Sequence, residues 1–231
     1  MTQVQTNICH DLPYGFPVEP TSPLCVTRIH ELATTLSNAL DAKDYTTCDH
    51  SRQAADLSAM LACKLNLTQQ QVDLVHIAAH LHDIGKIGIP DSILKKPGPL
   101  TDDEWEVIRQ HPGIGANIVA PISVFNTQNG IKDIVLCHHE RYDGRGYPEG
   151  LQGEAIPLGA RIVALADAFS AMLQERPYKS RLTFEQAQEE VRAHTGTQFC
   201  PLVSQIFEQT QPLIRKYYHG WADVAQAFTS F

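Results

Sequence analysis

The stretch TQQQVDLVHIAAHLHDIGKIGIP, residues 68–90, decides how this chain reads. Thr68 and Gln71 stand three apart, the spacing of a capping box that opens a helix. Val72, Val75, Ala79 and Leu81 follow at helical spacing, which predicts a helix over residues 69–84. Gly85 suits a C-terminal cap and Pro90 a stop. His82 and Asp83 then lie at a helix end inside an apolar run, where burial is expected. A buried carboxylate is costly unless it is paired or bound to metal. For a lone His-Asp pair, a hydrogen bond that packs one helix on another is the better reading. Here that reading weakens, because more histidines and carboxylates recur downstream in similar settings.

On either side the pattern stays helical. Ile29, Leu32, Ala33, Leu36 and Leu40 predict a helix over 27–42, and Ala54, Leu57, Leu61 and Leu65 another over 49–65. His50 falls on the apolar face of the second, where a histidine is more often a hydrogen-bonded core residue than a ligand. Thr101 and Glu104 form another capping box, starting a short helix toward Gln110. HPGIG, 111–115, is expected to break it, with a further helical run from about Gly115 to Ile122. Ile131, Ile134 and Val135 lead a helix into the CHHE run at 137–140, and the glycine-dense RYDGRGYPEGLQGE that follows reads as a loop. Residues 158–172 are apolar nearly all round, with Arg161 and Asp167 as the only charges, so that helix is expected to be buried. Thr183 and Gln186 cap one more helix, and the segment from Pro201 is a further helix or two and a tail. The fold class is all-α. Residues 1–26 carry Pro13, Pro17, Pro20 and Pro23 without clear periodicity and read as an arm.

Composition excludes several functions. A chain of 231 residues fits one large domain with extensions, and it buries roughly 70% of its unfolded surface without needing disulfides. A net charge of -8 argues against binding nucleic-acid polymers or anionic membranes. A small phosphate ligand stays compatible, since bound metal reverses the local field. The six cysteines show no CxxC spacing, and no signal peptide or membrane-length apolar run is legible. Free thiols in a reducing cytoplasm are the expectation.

His50, His82, Asp83, His111, His138, His139 and Asp167 are the residues whose settings are awkward. A lone carboxylate on an apolar helix needs a partner, and Arg161, six residues before Asp167, is not on its face. Adjacent His138 and His139 point about 100° apart on a helix, so they serve two neighbouring ions, or one of them stands behind a ligand. Imidazoles and carboxylates without thiolates suit iron, manganese or zinc better than magnesium or calcium. Two such ions about 3.5–4 Å apart form the clamp of phosphoester hydrolysis. Lys86, one turn beyond His82, can neutralise a phosphate oxygen in the transition state.

HDIGK at 82–86 and HHERYDGRGYP at 138–148 resemble the two signatures of the HD-GYP family, a subgroup of the HD metallohydrolases. The likeness runs from about Asp44 to Pro201 and takes in KIGIPDSILKKPGPLT and IPLGARIVALADAFSAM. The resemblance implies a helical bundle with metals between its helices. It implies hydrolysis of cyclic dinucleotides, above all cyclic di-GMP, in bacterial signalling. The seven residues above match the family's metal ligands. Lys86 matches the lysine that contacts the substrate phosphate, and Arg176 and Lys179 match residues that hold the dinucleotide. Gly146, Tyr147 and Pro148 match the motif that names the family. Thr46 stands where some members place a glutamate for a third metal, and Cys200 replaces the usual aspartate after GTQF.

The expected organisation is an N-terminal arm and helix (1–44), a metallohydrolase domain (45–210) and a C-terminal tail (211–231). The first 44 residues are too short for a conventional sensor. The expected activity is a phosphodiesterase that uses two transition-metal ions, iron or manganese ahead of zinc. Asp83 bridges or positions the ions, Lys86 stabilises developing charge, and linear pGpG is the main product. Two other readings stand beside it. One is a catalytically weak adaptor that binds a diguanylate cyclase or other partner through the glycine-rich loop. The other is a hydrolase of another cyclic dinucleotide such as cyclic GMP-AMP.

Overall fold

The computed structural model of the chain describes residues 23–43, 50–174 and 181–229. Their regular structure is helical. The elements are α1 (Pro23–Lys43), α2 (His50–Lys64), α3 (Gln69–Leu81), α4 (Asp91–Leu94), α5 (Asp102–Ile108), α6 (His111–Val119), α7 (Ile131–Cys137), α8 (Leu158–Leu173), α9 (Phe184–Ala193) and α10 (Pro201–Thr229). Short 3-10 turns cover Ile84–Gly88, Ser123–Phe125 and Gly153–Ala155. Among the described residues, β pairing is limited to one bridge between Thr195 and Phe199. The three capping boxes form as their spacing predicts. Thr68, Thr101 and Thr183 each accept a backbone N–H three residues on, while Gln71, Glu104 and Gln186 reach back.

α2, α3 and α8 form the centre. Ala54, Leu57 and Leu61 of α2, Val75, Ala78 and Ala79 of α3, and Ile162, Leu165 and Phe169 of α8 are sealed from solvent. Alanines at the crossings let the helices approach closely, and each buried leucine or isoleucine contributes about 1.5–3 kcal/mol. α8 packs against α2, α3, α7, α9 and α10, which is why its sequence is apolar nearly all round. Phe169 joins α8 to Phe184 of α9 and Phe207 of α10, with ring centroids 5.3 and 4.8 Å away.

Several boundaries differ from the sequence reading, two of them for a clear physical reason. α3 stops at Leu81, and the chain tightens into the Ile84–Gly88 turn. Gly85 is therefore not a helix cap. A Cβ there would overlap the carbonyl oxygen of His111 and the backbone nitrogen of Gly115, so the glycine lets α6 close against this turn. α6 begins at His111, not near Gly115, because Pro112 sits in its first turn, where no N–H is needed. α10 runs continuously past residue 210, with Pro212 inside it.

Candidate metal centre

Three of the histidines sit just past helix ends. His82 follows α3, His138 follows α7, and His111 lies three residues beyond the end of α5. Each donates its Nδ1–H to the carbonyl three residues back: Ala79 at 2.7 Å, Ile108 at 2.7 Å and Val135 at 2.6 Å. The last carbonyls of a helix lack intrahelical donors, so these imidazoles satisfy them. The bond places the proton on Nδ1 and leaves the Nε2 lone pair to face inward.

Those nitrogens meet the carboxylates in two adjoining groups. Asp83, His111, His138 and His139 place ligand atoms all within 4.8 Å of one another, and so do His50, His82 and Asp167. Asp83 joins the groups. Its Oδ1 lies 3.2 Å from His111 Nε2, and its Oδ2 lies 3.3 Å from His82 Nε2. Asp167 Oδ1 lies 2.8 Å from His50 Nε2 and 3.6 Å from His82 Nε2. All seven residues singled out in the sequence thus converge, although they come from separate parts of the chain.

The expectation that His138 and His139 diverge is corrected. His138 keeps helical backbone angles just past the end of α7, yet the two rings turn toward a common point. Their rings lie 4.1 Å apart, in the same group. Lys86 Nζ approaches Asp83 Oδ2 at 2.5 Å. Arg176, Lys179 and Thr46 lie outside the described residues.

Burial and charge set the protonation. Burial alone would raise Asp83, but Lys86, His82 and His111 outweigh it and hold the carboxyl well below its usual range. Asp167 is likewise held low against burial by His50 and His82. Burial, reinforced by neighbouring imidazoles, keeps His138 well below its ordinary value. Burial also brings His139 down to about 4, so both are neutral and ready to ligate. His82 is the exception: burial opposes its charge, but Asp83 and Asp167 raise it to about 10. Two buried imidazole nitrogens lack a well-formed hydrogen bond: His50 Nδ1 has no partner, and His82 Nε2 has only the carboxylate contacts at 3.3 and 3.6 Å. Such orphan atoms are costly unless something else fills the space. Neutral imidazoles, ionised carboxylates and an orphan nitrogen at the junction fit divalent metal.

The model of the HD domain family matches residues 34–203. The chain belongs to the HD domain family. Its two signature segments place it in the HD-GYP branch. It is 44% identical, over 174 residues, to the cyclic di-GMP phosphodiesterase response regulator RpfG of Xanthomonas campestris pv. campestris, covering 75% of this chain and 46% of that one. It is 40% identical, over 185 residues, to the 3'3'-cGAMP-specific phosphodiesterase 2 of Vibrio cholerae, covering 80% and 35%. A solved cyclic GMP-AMP-specific phosphodiesterase of the same organism shares the fold, with a TM-score of 0.63 at 21% identity over 80% of this chain and 49% of that one. The chain spans about half the length, or less, of the curated relatives it matches.

The loop that names the HD-GYP branch closes one side of the centre. Tyr147 stacks on the ring of His139, with centroids 4.9 Å apart, and the Arg109 guanidinium lies 5.7 Å from the Tyr147 centroid on α5's side. Gly146 is required where the loop folds back, since a Cβ there would overlap the backbone nitrogen of Arg141. Asp143 accepts from Arg141 and Arg145, each at 2.8 Å.

Sequence reasoning passed over two residues that shape this HD-GYP centre. Glu140 is buried, and its carboxylate accepts three backbone N–H groups, from Glu149, Gly150 and Leu151, at 2.6, 3.0 and 3.1 Å. A glutamate directly after two histidines was its only signal. Lys43, the last residue of α1, donates to the carbonyls of Ile87 at 2.8 Å and Ile89 at 3.1 Å, and so steadies the turn that carries Lys86. Nothing in the sequence signalled that contact, which spans more than forty residues.

Proposed function

We propose that this chain is a metal-dependent phosphodiesterase acting on cyclic dinucleotides, with cyclic di-GMP as the leading substrate and linear pGpG as the main product. The observation that carries this reading is Asp83, whose two carboxylate oxygens face the two ligand groups separately. Two divalent ions, iron or manganese ahead of zinc, suit the seven imidazole and carboxylate ligands. When bound they would supply charge to polarise the phosphodiester and a nucleophilic water near neutral pH. The chain's own residues do the rest. The three helix-end carbonyls hold His82, His111 and His138 in the ligating tautomer, so no reorganisation is needed at the moment of reaction. Asp83 orients the two halves of the centre. Lys86, beside Asp83, meets the negative charge that grows on the non-bridging oxygens. Water oxygen bonds to phosphorus, the bond to the 3' oxygen breaks, and the water proton ends on the departing 3' hydroxyl. Arg176 and Lys179 hold the rest of the dinucleotide.

The names of the relatives support this class, and one of them favours a second substrate, since the 40% identical Vibrio cholerae protein is specific for 3'3'-cGAMP. Metal-loaded protein, handled anaerobically, is incubated with cyclic di-GMP and with cyclic GMP-AMP, and the products are separated chromatographically. Faster release of pGpG than of the linear product from cyclic GMP-AMP supports the leading reading, and the reverse order replaces the substrate. Failure to cleave either after manganese and iron loading overturns the class.

A further inference from the structure

α3 carries two histidines that the HD centre does not use. His76 and His80 stand four apart on one helix face, with ring centroids 4.8 Å apart. His30 of α1 faces the same point. Its Nδ1 lies 3.2 Å from the Nδ1 of His76. The outer nitrogens of both rings turn to carboxylates: His76 Nε2 lies 3.4 Å from Asp56 Oδ1, and His30 Nε2 lies 3.8 Å from Asp73 Oδ1. Asp56 is fixed in turn by the Tyr217 hydroxyl of α10, which donates to its Oδ2 at 2.5 Å.

A carboxylate near neutral pH only accepts, so Asp56 favours the ring proton of His76 on Nε2, while Asp73 at 3.8 Å stands beyond hydrogen-bond reach of His30. His76 Nδ1 then presents a lone pair to His30 Nδ1 across 3.2 Å, a gap that either a proton on His30 Nδ1 or a cation shared by both nitrogens fills. Burial, and next the neighbouring His76, lower His30 and so keep its imidazole neutral, the form that ligates. The separation also suits a shared metal. Two nitrogens bound tetrahedrally at about 2.0–2.1 Å from zinc stand about 3.3 Å apart.

We propose that His30 and His76 hold a divalent late transition ion of the zinc, nickel or copper class, with His80 turning in as a third imidazole and water completing the shell. Neutral imidazoles suit those ions, and carboxylates behind them raise ligand basicity and hold ring orientation. The His30 and His76 side chains are 25% and 23% exposed, so an ion has access and a water ligand has room. The ion's role is to cross-link α1 to α3. No bond or electron is transferred, and the site shares no residue with the HD centre.

Zinc is added to the full-length protein and to the His30→Gln and His76→Gln variants. After dialysis, bound zinc is counted by elemental analysis, and crystals of the parent are measured at the zinc absorption edge. The parent is expected to hold one more zinc than either variant, with an anomalous peak between His30 and His76. Turnover with manganese alone should be equal in all three proteins. Equal zinc counts in parent and variants, or no peak beside His30, overturn the proposal. The second variant and the peak keep the result clear if one substitution loosens α1. Loss of phosphodiesterase activity in the parent would leave the zinc count unaffected.

Discussion

Glu140→Ala should open the GYP loop while leaving the helical core folded. Three hydrogen bonds of 2.6–3.1 Å end on its one buried carboxylate. A hydrogen bond to a charged group contributes about 1.5–3 kcal/mol. The three share an acceptor and are not additive, so a total of about 3–5 kcal/mol is expected. That energy holds a loop against local opening, and at 1.4 kcal/mol per tenfold it corresponds to amide exchange faster by roughly 10²-fold to a few thousand-fold. The assay is hydrogen–deuterium exchange followed by mass spectrometry on peptides covering 140–153. The effect should centre on Glu149, Gly150 and Leu151, with α2 and α8 unchanged. Glu140→Gln should fall between, because its amide oxygen can keep the two bonds at Oε1 while its NH2 meets the Leu151 N–H donor to donor. The loop also carries Tyr147 onto the ring of His139, so metal affinity should drop by about 10–100-fold, the usual cost of losing a supporting partner. Exchange in 149–151 indistinguishable from the parent would refute the reasoning.

Asp83→Ala should abolish turnover and bound metal together, and it should cost the metal-free protein about 3–5 kcal/mol in denaturant unfolding, since Lys86 and His82 lose a buried counter-charge. Retention of a full metal complement would exclude the bridging role. In metal-free protein the raised value of His82, about 10 against 6.5, sets a pH dependence. Its contribution is fully present below about 6.5 and is lost as pH rises through about 10, so the melting temperature should fall more steeply between pH 7 and 10 in the parent than in His82→Gln. Identical slopes would show that His82 carries no such charge. Arg176→Ala and Lys179→Ala should raise KM with little change in metal content, and unchanged KM values would remove both from the substrate site.

The sequence by itself determined the elements and the identity of the awkward residues. Capping boxes at Thr68, Thr101 and Thr183 are local, written within four positions, and they form as read. Apolar spacing is equally local, so α2, α3 and α8 were legible. The seven ligand candidates stood out because charge or imidazole inside an apolar run has no inexpensive explanation. Tertiary structure alone decided how those seven divide into two groups and that Asp83 faces both. Distances between residues as far apart as His50 and Asp167 depend on helix packing, which no short-range pattern encodes. The same limit hid Gly85, read as a cap from its neighbours but required by the approach of His111 from another helix. It also hid Glu140, whose partners are backbone N–H groups, identical at every residue type and so invisible until the loop folds back upon it.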